Sequence, residues 1–176
     1  GAVENPAARF EKLAIEMDAQ TYNELCVAGE EEPEKQISTE IFHDTSRSII
    51  ASNDSPDVGM DTTLNPYRGC EHGCVYCYAR PTHAYMGLSP GLDFESKLFI
   101  KPNAASLLRE ELTAPNYRPR TIALGSNTDP YQPIERTYRI TRQILEVLSE
   151  FNHPVGIVTK STLVLRDLDI LTSMAL

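Results

Sequence analysis

The chain has 176 residues, enough for one domain with its own core, and its 41% hydrophobic and 23% charged content is ordinary for a globular protein. Sixteen basic and 25 acidic residues leave a net charge of −9, which speaks against a broad basic surface tracking a phosphate backbone but not against a local basic cleft. No apolar run of about 18 residues predicts a membrane span, and no charged-then-apolar leader opens the chain, so a cytoplasmic location is expected.

Residues 1–61 read as an N-terminal extension. Its start at Gly1 rather than Met reads as a trimmed end. Asn5 and Pro6 form a helix start, with Asn as cap and Pro in the first turn. Phe10, Leu13, Ala14 and Met17 then fall on one helical face. After Tyr22 the pattern fails, and Glu30-Glu31-Glu32-Pro33-Glu34 reads as a solvated acidic linker. The turn-rich stretch 52–57 is another loop.

From residue 62 the texture changes to alternating strands and helices. Strands are expected at 62–65, 97–100, 121–124 and 155–159. The run Thr121-Ile122-Ala123-Leu124 is short and apolar, as buried parallel strands are. A helix capped by Asn103 carries Leu107, Leu108 and Leu112 and stops before Pro115. Ile140, Ile144, Val147, Leu148 and Phe151 mark a second helix, and Leu168, Leu171 and Ala175 start a third. Such alternation predicts an α/β fold with parallel strands and right-handed crossovers. Four βα units are counted, and the last helix reaches residue 176 without a C-cap signal, which reads as a chain cut short.

Between the first strand and the next helix lies Arg68-Gly69-Cys70-Glu71-His72-Gly73-Cys74-Val75-Tyr76-Cys77-Tyr78. With no export signal, four cysteines read better as metal ligands or free thiols than as disulfides. Glycines precede Cys70 and Cys74 and let the loop fold tightly. Three thiolates at C-x3-C-x2-C spacing can hold three irons of a 4Fe-4S cluster and leave the fourth open to a small molecule. Zinc is the alternative, but structural zinc usually takes two ligand pairs, and the second pair is absent. His72 reads as an exposed loop residue and Cys26 as an ordinary thiol, with a remote fourth ligand or a redox partner as the other readings. No phosphate-binding P-loop, G-x-G-x-x-G or H-E-x-x-H occurs.

Two further blocks, Asn65-Pro66-Tyr67-Arg68-Gly69-Cys70 and Gly125-Ser126-Asn127-Thr128-Asp129-Pro130-Tyr131-Gln132-Pro133, accompany the cysteines in order. On these residues the chain resembles the radical S-adenosylmethionine (SAM) superfamily, in the branch related to spore photoproduct lyase. The resemblance runs from about Ser46 to the end.

It implies a partial (β/α)6 barrel, here truncated after four units, with residues 62–176 as the N-terminal part of the core domain. Cys70, Cys74 and Cys77 would hold a 4Fe-4S cluster. S-adenosyl-L-methionine would bind its open iron and, on reduction, give a 5′-deoxyadenosyl radical that takes hydrogen from an unknown substrate.

Tyr76 would meet the adenine through its backbone while its ring packs into the core, and Tyr78 joins it either there or in core packing. Family members often carry Gly-Gly-Glu after the third strand to hold the methionyl amino group. This chain departs from that with Gly125 and Ser126, and Asp129 either supplies the negative charge or is a turn carboxylate. Lys160 would pair with the SAM carboxylate, and Ser161 either caps the next turn or touches the ribose.

Arg68, Arg80, His83, Tyr85, Tyr131 and Gln132 lie in or beside these loops, where a substrate pocket can form. The implied partners are the substrate and an electron donor such as flavodoxin or ferredoxin. Nucleic acid is suggested by kinship alone and opposed by the charge. Two other classes stay open: a non-catalytic fragment that binds a cluster or SAM, and a zinc-binding structural module.

Overall fold

The computed structural model describes residues 1, 2, 4, 5, 38–52 and 59–175. The predicted helix after Asn5, the acidic run and Cys26 lie outside them. Among the described residues the architecture is mixed α/β, with two open sheets that do not close into a barrel.

The first elements are β1 (Glu40–His43), β2 (Ile50–Ser52), β3 (Thr62–Leu64) and β4 (Tyr67–Arg68). A 3-10 helix, Arg80–Met86, follows the cysteine loop. Next come α1 (Asp93–Ser96), β5 (Lys97–Ile100), α2 (Ala104–Leu112) and β6 (Ile122–Leu124). The chain continues through α3 (Glu135–Tyr138), α4 (Ile140–Glu150), β7 (Val155–Ile157), a second 3-10 helix at Thr162–Asp167 and α5 (Leu168–Met174).

One sheet has the order β2-β3-β6-β7, with β3, β6 and β7 mutually parallel and β2 antiparallel at the edge. The other has the order β1-β5-β4, with β1 parallel and β4 antiparallel to β5. Three of the four expected strands therefore share the parallel sheet. The stretch 97–100 does not join them, because its neighbours are β1 from the N-terminal segment and the two-residue β4.

The packing explains both sheets. Ile122, Ala123 and Leu124 of β6 are buried on both faces, as a central parallel strand requires. In β5 only Leu98 and Ile100 are buried, so it alternates like a one-sided strand. Those two side chains enter the same core as Leu64, Ile122 and Leu124, so one apolar cluster joins the two sheets. Helix α4 covers it with Ile140, Ile144, Leu145, Val147 and Leu148. Helix α2 adds Leu108 and Leu112, with Leu107 at the margin. Asn103 occupies the N-cap position of α2 but makes no side-chain capping bond. No helix of the described residues is long and apolar enough to cross a membrane.

Because β3, β6 and β7 run in one direction, the loops leaving their C-terminal ends emerge at the same edge. In open α/β sheets that edge is where ligands sit.

Candidate functional site

The cysteine loop, the loop after β6 and the loop after β7 enclose one cavity of about 170 Å³. Cys70, Cys74 and Cys77 line it together with Tyr76, Tyr78, Gly125, Ser126, Asp129 and Lys160. Nine of the ten expected site residues thus share one wall. The tenth, Ser161, is not among the lining residues. Its hydroxyl oxygen accepts from the Leu163 N–H at 3.2 Å and caps the following 3-10 helix.

The cysteine loop is held by its glycines and by distant side chains. Gly69 and Gly73 have φ of 78° and 58°, the left-handed region that glycine enters freely. A Cβ on Gly69 would stand 2.9 Å from the Phe94 carbonyl oxygen, which accepts from the Cys70 N–H. Gln132, fully buried, clamps the loop from outside: its Oε1 accepts from the Glu71 N–H at 3.0 Å and its Nε2 donates to the Gly69 carbonyl at 3.1 Å. Arg80 donates to the Cys74 carbonyl at 3.0 Å and pairs with Glu95.

The thiols differ in exposure. Cys70 is 7% exposed, and burial pushes its thiol up to about 11, so a metal there must displace a held proton. Cys74 and Cys77 are half-buried and free. Among the described residues no three His, Cys, Asp or Glu side chains already converge as a metal-holding group.

The loop after β6 depends on Asn65. Its Oδ1 accepts from the N–H groups of Asn127 (2.8 Å) and Thr128 (3.3 Å), and its Nδ2 donates to Ser126 Oγ at 3.1 Å. Gly125 has φ of 90°, and a Cβ there would stand 2.6 Å from the Val158 carbonyl oxygen. Asp129 staples this loop to the next one. Its carboxylate accepts from the N–H of Tyr131 (2.8 Å), the hydroxyl of Thr159 (2.7 Å) and the N–H of Lys160 (2.7 Å). The Tyr131 bond is the turn arrangement that the sequence left open for Asp129.

Lys160 reaches across the cavity. Its Nζ stands 3.1 Å from Cys74 Sγ, bonds to the Tyr76 hydroxyl and lies 4.3 Å from the centre of that ring. The Tyr76 ring is 76% exposed, so it does not pack into the core as the resemblance implied. Tyr78 is 72% exposed, and its hydroxyl donates to the Ser126 carbonyl. Both rings rim the cavity, and Phe94 and Ala79 are the residues that pack with Cys70.

His72, expected as an exposed loop residue, is half-buried in the cavity wall, with Nε2 3.4 Å from Asp129 Oδ2 but not aligned for a hydrogen bond. Of the residues grouped as a possible substrate pocket, Arg80, His83, Tyr131 and Gln132 prove to be scaffolding. His83 and Tyr131 are fully buried, and His83 Nε2 bonds to the Lys97 carbonyl at 2.9 Å. Arg68 and Tyr85 line a different cavity. The sequence reading missed Asn65 as an organiser, and also Glu71, whose carboxylate accepts from the Ile134 N–H at 2.8 Å. Their only signal was their place in the blocks around Cys70, since a turn Asn and a loop Glu carry no spacing of their own.

Comparison with known proteins supplies relatives without functions. An uncharacterised protein of Mycobacterium tuberculosis is 47% identical over 113 residues, 64% of this chain and 33% of the relative. An uncharacterised protein of Methanocaldococcus jannaschii is 32% identical over 112 residues, 64% of this chain and 40% of the relative. One from Acidianus two-tailed virus is 28% identical over 113 residues. No family model matches the chain, and no solved structure does. The chain spans about a third of the length of the curated relatives it matches.

Proposed function

We propose that this chain is part of a radical SAM enzyme, built on a partial (β/α) barrel, and that Cys70, Cys74 and Cys77 hold its 4Fe-4S cluster. The observation that carries the reading is the shared cavity: all three cysteines and six further expected site residues line it, at the C-terminal edge of three parallel strands. The donor set fits the group, with three soft thiols in a short glycine-hinged loop. When bound, such a cluster supplies the electron that cleaves the SAM sulfonium to a 5′-deoxyadenosyl radical, which abstracts hydrogen from the substrate.

The chain's own groups do the rest. Lys160 brings a cation to the cavity beside Cys74, suited to a carboxylate. Asp129 fixes Lys160 by its backbone, and the ammonium reaches the Tyr76 hydroxyl and Cys74 across the cavity. Ser126 and the Gly125 peptide present small polar groups that let a ligand approach the strand ends closely. Tyr76 and Tyr78 form an aromatic rim that can cover a purine and exclude water. The electron comes from a low-potential donor such as flavodoxin or ferredoxin. The substrate is unassigned, and the −9 charge does not favour nucleic acid.

The test is electron paramagnetic resonance of the anaerobically reconstituted, dithionite-reduced protein. A reduced 4Fe-4S signal that moves on adding SAM is the expected result, with loss of the signal in Cys74→Ala. One zinc per chain with no labile sulfide overturns the reading, and a cluster signal indifferent to SAM reduces it to a cluster-binding module.

A further inference from the structure

A second cavity, about 250 Å³, lies behind the loop after β6. It opens between the two sheets, with Ala51 of β2 and Arg68 of β4 on one side and Thr82 and Tyr85 of the 3-10 helix on another. Asn127 and Thr128 line both this cavity and the cysteine cavity, so a single turn of chain separates the two.

Lys101 gives the second cavity its character. It follows β5 directly, is only 9% exposed and lines the cavity wall. Its ammonium has three N–H donors. Among the described residues none of them meets a hydrogen-bond or ion-pair partner, although the backbone N–H of Lys101 is satisfied by the Pro66 carbonyl.

The carboxylates closest in charge effect are engaged elsewhere. Asp44 takes the Arg68 Nε at 2.6 Å and the N–H and hydroxyl of Ser46. Glu111 takes the N–H groups of Ile49 (2.6 Å) and Ile50 (3.1 Å). Burial holds the Lys101 ammonium below its ordinary range, while the charges of Asp44 and Glu111 draw it the other way.

The rest of the wall has the same sense. Among its described residues there are two cations, Arg68 and Lys101, and no carboxylate, in a chain whose net charge is −9. Tyr85 and Asn127 also line it, and their side-chain polar groups make no hydrogen bond among the described residues. These donors come from β4, the end of β5, the 3-10 helix and the loop after β6. Groups approaching from several directions suit a tetrahedral oxyanion better than a flat carboxylate.

We propose that the cavity bounded by Arg68, Lys101, Tyr85 and Asn127 is a phosphate-binding site, which takes the phosphate group of a ligand whose remainder reaches toward the cysteine cavity. The site stands on its own residues and does not depend on which group the cysteines hold.

The experiment uses inorganic phosphate as the probe, with acetate as the control anion, on wild-type protein, Lys101→Met and Asn127→Ala. Binding is read by titration calorimetry and by the thermal midpoint. Phosphate should bind wild type with a dissociation constant of about 1–10 mM, as expected for so small a ligand, and should raise its melting temperature by mass action. Lys101→Met should weaken binding at least tenfold and, without phosphate, melt close to wild type, because the ammonium makes no hydrogen bond or ion pair among the described residues and methionine replaces its apolar stem in kind. Asn127→Ala, on the surface, should weaken binding about threefold, the scale of one neutral hydrogen bond. The proposal falls if phosphate fails to bind wild type, if acetate binds as tightly, or if Lys101→Met binds phosphate unchanged. If Lys101→Met does not fold, unchanged binding by Asn127→Ala overturns it equally.

Discussion

Asn65 shows how one side chain can set a whole loop through its bonds to the backbone. Its oxygen accepts two backbone N–H groups of the 126–128 turn, and its amide holds the Ser126 hydroxyl. Asn65→Leu would strand both N–H groups and should cost about 2–3 kcal/mol. Asn65→Asp keeps the acceptor and loses only the donor to Ser126, so it should cost under about 1 kcal/mol. Urea midpoints at constant slope measure both, and equal losses in the two variants would show that the oxygen is not what matters. The cysteines were legible in the sequence because their C-x3-C-x2-C spacing is itself a local pattern, and the structure brings all three to one cavity. Gly125 was legible as part of its block, and its φ of 90° supplies the physical reason. Lys101 was not legible, since a lysine ahead of a proline at a strand end looks solvated until the tertiary fold closes over it.

At the scale of elements, the break between α3 and α4 is held by one buried carboxylate, Glu135. Arg139, at φ 50°, separates them and offers no side-chain cap. The first N–H groups of α4 are instead taken by Glu135, whose carboxylate accepts from Thr141 N at 3.0 Å and Arg142 N at 3.4 Å. The same fully buried carboxylate pairs with Arg166 at 2.7 Å and accepts from the Tyr67 hydroxyl, tying α4 to the second 3-10 helix and to β4 just before the cysteine loop. Replacing Glu135 by Leu strands the Tyr67 phenol and two N–H groups of α4, while Arg166 keeps Asp167 at 2.7 Å; it should cost about 2–4 kcal/mol in chemical denaturation, and Glu135→Gln, which retains an acceptor, less. Wild-type stability in Glu135→Leu would mean the carboxylate is dispensable. The helical stripe from Ile140 to Leu148 was readable because a 3.6-residue period depends on local sequence alone. The placement of 97–100 beside β1 was not, because sheet partnership is decided by segments far apart in the chain, and the short strands at 40–43 and 50–52 show only weak alternation.

The whole molecule joins its buried titratable groups into one pH profile. His83 and His153 are held below their ordinary value of 6.5 by burial. The unfolded chain therefore takes up protons near 6.5 that the folded chain refuses, and stability falls as pH drops below that point. Burial works against ionising Asp167, yet hydrogen bonds from Arg166 and Arg142 outweigh it and hold the carboxyl below 3.8, so a second loss begins under that pH. On the alkaline side the sign reverses in origin. Cys70 ionises at 9.0 when unfolded and, because of burial, at about 11 when folded. Its contribution is complete below pH 9 and disappears between 9 and 11, on the order of 3 kcal/mol at 1.36 kcal/mol per unit. Burial raises Tyr67 and Tyr131 as well, which adds to the loss above pH 10. Urea midpoints of the metal-free protein should form a plateau between about pH 6.5 and 9, and Cys70→Ser should flatten the descent from 9 to 11. Loading the cysteines should flatten it too, because a ligated thiolate has no proton left to hold. A descent that persists in both Cys70→Ser and the loaded protein would assign the alkaline loss to the tyrosines instead.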